Sequence, residues 1–267
     1  STTIDGNQDT SVVIFSDFET RAALLSGFTI TNGSALLGGG IYCTKNASPT
    51  LENLVISGNT ASSAGGGFMC DILGGGRAFD ANPLLENVVI KDSTAMNRGG
   101  VKCGSFTKPV FKDVTITGNS VNGQGGGMYC DYLSGPILNR VEISDNEYGN
   151  TGGAIFCYTA STPTLINVTV SNNVMRPGVT YGHGGGMSLY HSAAASIINS
   201  VFYNNEPEEF HFSENGNPDT LTISYSLIGG GQDSIVTNDN GTVTWGDGNV
   251  DIDPVFADTA NANYHLL

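Results

Sequence analysis

Gly125-Gly126-Gly127-Met128-Tyr129-Cys130 is the phrase on which the reading of this chain turns, because it keeps returning. It recurs as Gly38 to Cys43 and Gly65 to Cys70, with variants Arg98-Gly-Gly-Val-Lys-Cys103 and Gly152-Gly-Ala-Ile-Phe-Cys157. A sixth copy, Gly184 to Leu189, puts leucine in place of the cysteine. Successive cysteines are separated by 27, 33, 27 and 27 residues, so one unit length dominates and one copy carries an insertion. Between these phrases lies a second one, Pro49-Thr-Leu-Glu-Asn-Leu-Val-Ile-Ser-Gly-Asn59, matched from Pro83, Pro109, Pro136 and Pro163, and from Ala195 without the proline. Its apolar places are Leu51, Leu54 and Ile56, then Leu85/Val88/Ile90, Phe111/Val114/Ile116, Leu138/Val141/Ile143 and Leu165/Val168/Val170.

Short, β-branched, alternating segments between turn residues are strands, and no stretch keeps a helical period for three turns. A unit of about 27 residues with two or three such strands cannot close its own core. Stacked copies can, each strand pairing in parallel with its equivalent one rung away at ~4.8 Å. The expectation is an all-β parallel β-helix of about eight or nine coils. The leucine-rich-repeat frame is absent, and a propeller needs four strands in every ~40–45 residues. Residues 1–267 form one domain in this reading: a starting coil over 1–20, repeated coils over 21–232, and a final coil with a tail over 233–267.

In such a stack every repeat position becomes a ladder. Apolar ladders fill the interior, and the five cysteines share an inward one, as buried free thiols. Asn53, Asn87, Asp113, Asn167 and Asn199 share a bend that Arg140 interrupts. Asn59, Asn119, Asn146, Asn173 and Asn205 share a second, where asparagine tolerates a left-handed turn. The places flanking each cysteine point outward, and five of these twelve are aromatic against 9% of the chain. Tyr42, Tyr129, Phe156, Tyr158 and Tyr190 with Asp71, Lys102 and Asp131 are therefore the candidate ligand-binding face, rings beside carboxylates being suited to sugars. Asp71 and Asp131 sit two coils apart, about 9.6 Å by rung spacing, near the ~6.5–9.5 Å of inverting glycosidases. They are the candidate catalytic pair of an alternative, enzymatic reading, with His183 or Arg140 assisting. Two insertions, around Asp71 to Asp80 and around Met175 to His183, would emerge as flanking loops.

The opposite, threonine-bearing face is interrupted by Lys91, Glu142 and valines, which does not suit an ice-binding array. Near the end, Asp247, Asn249, Asp251 and Asp253 place oxygen ligands at every second residue, a candidate Ca²⁺ edge. No cofactor is required by the reading. With 10 Lys+Arg against 25 Asp+Glu, the net charge of −15 excludes a nucleic-acid binder and disfavours polyanionic ligands unless Ca²⁺ bridges them. The longest apolar runs, such as Val12 to Phe15, are far short of the roughly 20 residues of a membrane helix.

Gly152-Gly153-Ala154-Ile155 and Phe202-Tyr203-Asn204-Asn205, with looser forms in every coil, resemble the repeats of right-handed parallel β-helix proteins of bacterial surfaces, in particular the polymorphic outer-membrane-protein type. The resemblance covers nearly the whole chain and implies a secreted or surface-exposed, adhesive segment. Its expected partners are polysaccharide or a cell-surface glycan or protein. A monomer is expected, standing alone or within a longer polypeptide. The close from Asp253-Pro254 to Tyr264 is similar to the last coil of such proteins. No signal peptide is read, and a start at Ser1 suits a mature or excised piece. Gly182-His183-Gly184 resembles a word of the polygalacturonases, but their Asn-Thr-Asp, Asp-Asp and Arg-Ile-Lys words are absent. Pectate lyases pair Ca²⁺ with an arginine base, a role open to Arg140, yet their Trp-Ile-Asp-His word is missing.

Overall fold

The computed structural model describes residues 2–72, 81–259 and 263–266. The insertion around Asp71 to Asp80 lies outside these residues beyond Ile72. Among the described residues three parallel sheets build the stack: two run its length, the cysteine-bearing one with nine strands, and a third of six strands reaches only from Ser34–Leu37 to Val174–Met175. Among the described residues there is no α-helix, and a short 3₁₀ turn lies at Gly231–Ser234.

The longest strands, Thr50–Ser57, Leu84–Lys91, Val110–Thr117 and Ile137–Ser144, pair in strict register, so that Leu51, Leu85, Phe111 and Leu138 lie over one another. In each, the buried places are three apart and then two, as in Leu51, Leu54 and Ile56. A flat strand would alternate without a break. The fault is taken up by a left-handed residue, Asn53, Asn87, Asp113, Arg140, Asn167 or Asn199, that bends the strand so both halves face inward. Amides bond along this exposed ladder, Asn87 Nδ2 to Asn53 Oδ1 at 2.6 Å and Asn199 Nδ2 to Asn167 Oδ1 at 2.6 Å. Arg140 does not break it. Its guanidinium donates twice to Asp113, at 2.6 and 2.9 Å.

The second polar ladder differs from expectation. Its left-handed residues are Gly58, Asp92, Gly118, Asp145, Asn172 and Asn204, one place before each inward residue. The asparagines themselves point inward and are buried. Asn119 donates to Asn146 Oδ1 at 3.0 Å, Asn146 to Asn173 at 2.9 Å, and Asn173 to Asn205 at 2.8 Å. Each Nδ2 also donates to a carbonyl of the preceding coil, as Asn146 does to Ile116 at 3.0 Å. An inward amide has to satisfy every polar atom this way, because a buried unpaired donor costs about 1–3 kcal/mol. Ser93 fills one rung, and the row ends on Glu209, whose Oε2 accepts Asn205 Nδ2 at 2.6 Å. Burial pushes the Glu209 carboxyl up to about 7 against the hydrogen bonds that favour its charge.

The glycine phrase is the third corner. A Cβ on Gly126 would lie 2.5 Å from the Gly153 carbonyl oxygen and 2.9 Å from that of Glu147, so only glycine lets the coils close to this distance. Beyond it, Cys43, Cys70, Cys103, Cys130 and Cys157 are buried and free, each in register with the next. Burial pushes the Cys43 and Cys103 thiols well above their ordinary range.

The close of the chain is not a further coil. Phe256–Asp258 and Asn263–Leu266 pair antiparallel, and the Tyr264 hydroxyl reaches back, donating to Asp145 Oδ1 at 2.8 Å and accepting from Asn172 Nδ2 at 2.8 Å. Val243 and Trp245 of the last parallel rung pack against the core and remain partly exposed.

Candidate functional site

One outward position of the nine-stranded sheet reads, coil by coil, Ile14, Tyr42, Met69, Lys102, Tyr129, Phe156, Ser188, His211 and Val236. Its middle is not the open surface that alternation predicts. Tyr129 is 2% exposed, Phe156 1% and Lys102 5%. Rungs ~4.8 Å apart bring their side chains into van der Waals contact: Tyr129 stacks on Phe156 at 5.1 Å, and Phe156 meets Tyr190 at 5.0 Å. The Arg98 guanidinium lies 5.2 Å over the Tyr129 ring. Burial, with the Asp131 charge adding to it, pushes the Tyr129 hydroxyl up. Met69 is buried too, whereas Tyr42, Tyr158 and Tyr190 keep partial exposure.

The carboxylate pair is closed in the same way. Lys102 Nζ sits between Asp71 Oδ2 at 3.4 Å and Asp131 Oδ2 at 3.1 Å, drawing them closer than two rungs. Arg98 Nη1 approaches Asp131 Oδ2 at 3.9 Å. The other oxygens accept backbone N–H groups of Ile72 at 2.7 Å and Tyr132 at 2.9 Å. Gly104 makes room, since a Cβ there would meet the Asp71 carboxyl carbon at 2.6 Å. Two carboxylates facing two cations form a satisfied cluster, and the ammonium occupies the space in which a glycosidic oxygen would have to lie.

The two assisting residues are elsewhere. Arg140 lies on the long sheet with Asp113, lining a groove of about 430 Å³ with Glu142, Thr169 and Tyr264. His183 follows the second insertion and bridges to Thr151 of the preceding coil. Nor do Asp247, Asn249, Asp251 and Asp253 converge. Asn249 follows Ser200 and Ser226 in the inward row behind the first bend, its Nδ2 donating to the Ile223 and Gly246 carbonyls at 3.0 Å and its Oδ1 accepting from Ser226 N–H. Asp251 accepts the Gly230 N–H and Asp253 that of Val255, each at its own turn. Alternate residues of a strand share a face, but turns at Gly248 and beyond separate them.

The aromatic ladder opens at its C-terminal end. Ser188 is small and buried, its hydroxyl bonded to Thr151 Oγ1 at 2.8 Å, and the space a ring would fill is taken by two imidazoles. His183 and His211 stack at 4.3 Å, and Glu208 Oε1 lies 2.9 Å from His211 Nδ1 and 3.6 Å from His183 Nδ1. Glu208 Oε1 also accepts the Gly184 N–H at 3.0 Å. Burial would raise the Glu208 carboxyl, but the His211 bond, the Gly184 N–H and the two imidazoles outweigh it and hold it below the ordinary value. Beside this cluster is a cavity of about 220 Å³ lined by His183, Tyr190, His191, His211, Ser213, Glu214 and Asn215. Among the described residues no other set of three His, Cys, Asp or Glu side chains brings its ligand atoms together.

Glu208, His211 and His191 carry no repeat signature, and sequence reasoning passed over them. The available signal was Glu208-Glu-Phe-His211, one coil on from the Gly182-His183-Gly184 word, where the repeat stops matching its consensus.

A family model described as a right handed beta helix region matches residues 1–202 and again 80–252. No curated protein and no solved structure matches the chain. No helix among the described residues is long and apolar enough to cross a membrane.

Proposed function

The chain belongs to the right handed beta helix family, a fold that hosts many functions, and from its surface we propose a non-catalytic, extracellular or cell-surface module that binds glycan. The observation that carries this reading is the opening of the aromatic ladder. Tyr190, tilted against the buried Phe156 ring, lines a cavity whose exposed side carries Glu214 and Asn215, and Tyr158, stacked on the same Phe156, lies beside it across His191, which both tyrosines meet edge-on. Apolar ring faces beside hydroxyl, carboxylate and amide groups match the C–H face and hydroxyls of a sugar. The ligand face is thus shorter than the eight residues of the repeat pattern: Tyr158 and Tyr190 remain at this end, Tyr129 and Phe156 are covered, Asp71, Lys102 and Asp131 are tied to one another, and the half-buried Tyr42 lies at the other end of the row. Secretion and adhesion follow the likeness to polymorphic outer-membrane-protein repeats.

Catalysis by Asp71 and Asp131 is the less favoured reading, because Lys102 spans both carboxylates. A glycan array with the wild-type protein and with Tyr158→Ala and Tyr190→Ala tests the proposal. Binding lost in both variants supports it. Binding unchanged in both, or cleavage of a bound polysaccharide that disappears in Asp131→Asn, overturns it.

A further inference from the structure

We propose that His183, Glu208 and His211 form a binding site for a zinc-class divalent cation, with one coordination position open to the adjoining cavity. The inference does not rest on glycan binding. It starts from the place where the repeat fails. A ladder of like residues spreads its ligand atoms along the stack and cannot surround an ion, which is why five aligned cysteines make no such site. Here three different residues from a turn, a strand entry and a strand meet at one point. His211 sits in Phe210–Phe212 between two inward phenylalanines and so points outward, in register with Ser188. The small Ser188 lets His183 fold over it. Glu208 is fixed between them by the Gly184 N–H.

The ligand-atom spacing fits an ion of small radius, and the two rings, stacked 19° from parallel, have to turn on binding so that their in-plane lone pairs meet it. Bonds of about 2.0–2.1 Å in a tetrahedral site set ligand atoms about 3.3 Å apart. The separations of His211 Nδ1 and His183 Nδ1 from Glu208 Oε1, 2.9 and 3.6 Å, lie either side of that edge, and all three ligand atoms lie within 4.8 Å of one another. Two imidazole nitrogens and one carboxylate oxygen favour Zn²⁺, Co²⁺, Ni²⁺ or Cu²⁺ over Ca²⁺ or Mg²⁺. The set is anchored on its inner side, His211 and Glu208 side chains being 4% and 13% exposed, and reached from outside past His183 at 49%. His211 Nε2 lies 3.2 Å from the Asn238 amide nitrogen, which also donates to the Phe212 carbonyl. Three protein ligands with a fourth position facing a cavity is the arrangement that leaves room for water or a ligand hydroxyl.

The test is titration of chelator-treated protein with ZnCl₂ by calorimetry, and with CoCl₂ followed by visible absorption. The expected result is one equivalent of Zn²⁺ and a tetrahedral Co²⁺ spectrum that Zn²⁺ abolishes. His183→Ala and Glu208→Gln should each weaken Zn²⁺ binding by about 30-fold or more, while His191→Ala, at the same cavity, stays within about threefold. Circular dichroism confirms that each variant folds, and His183, half exposed, is the variant least able to disturb the coil. Absence of binding, or Zn²⁺ affinity unchanged in folded His183→Ala, overturns the proposal.

Discussion

The coils from Gly38 to Asn173 and those from His183 to Asn249 obey the same pairing rules and come to different ends. In the first set the inward rows largely keep their residue type, so side chains mostly meet their own kind: asparagine on asparagine, cysteine on cysteine, and, on the outer face, Tyr129 on Phe156. Such ladders satisfy themselves and leave little for a ligand. In the second set cysteine gives way to Leu189 and Phe212, the asparagine row stops at Glu209, and Ser188 and His211 replace rings and lysine. Repetition builds the stack, and its interruption gathers unlike groups at one point.

If this contrast is right, substitutions in the regular coils cost stability and those at the interruption cost binding. The largest effect is expected for Lys102→Met, which leaves Asp71 and Asp131 facing each other nearly buried. Breaking a buried ion pair by removing one partner costs about 3–5 kcal/mol, read as a lowered midpoint in urea denaturation. Next comes pH. The Glu209 carboxyl is pushed up to about 7 from an ordinary 4.5, so between those values the folded chain holds a proton that the unfolded chain has released. Stability is therefore greatest below about pH 4.5 and falls as pH rises toward 7, by up to about 3 kcal/mol for this group. Asp219, also raised by burial, pulls the same way. Glu209→Gln should flatten the slope, measured as denaturation midpoints across pH 4.5–8; an unaltered slope would remove Glu209 from the account. Asn146→Ala, which leaves Asn119 Nδ2 and N–H without their acceptor, should cost about 2–3 kcal/mol by the same assay. The smallest effect is His183→Ala without metal, within about 0.5 kcal/mol of wild type.

These expectations also explain what could be read without coordinates. The coil was legible because burial and turn geometry act at every rung: Leu51, Leu54 and Ile56 repeat since the same cavity has to be filled each time. That the fault between Leu51 and Leu54 is a left-handed bend at Asn53, and that Asn59 follows rather than occupies the second one, needed dihedral angles. The outward face was read correctly in direction and wrongly in exposure. Alternation says where a side chain points, while the ~4.8 Å rung spacing, together with the length of Arg98 and Lys102, decides whether anything remains uncovered. Glu208 and His211 were passed over for the opposite reason: a residue that occurs once has no ladder to announce it, and only the lapse of the repeat marked the place.

The contrast between ladder and interruption is tested most directly by crystals grown with ZnCl₂ and measured at the zinc absorption edge. The account predicts one anomalous peak within bonding distance of His183, Glu208 and His211, and none along the cysteine row. A peak on the cysteines, or no peak between the two imidazoles, would contradict it.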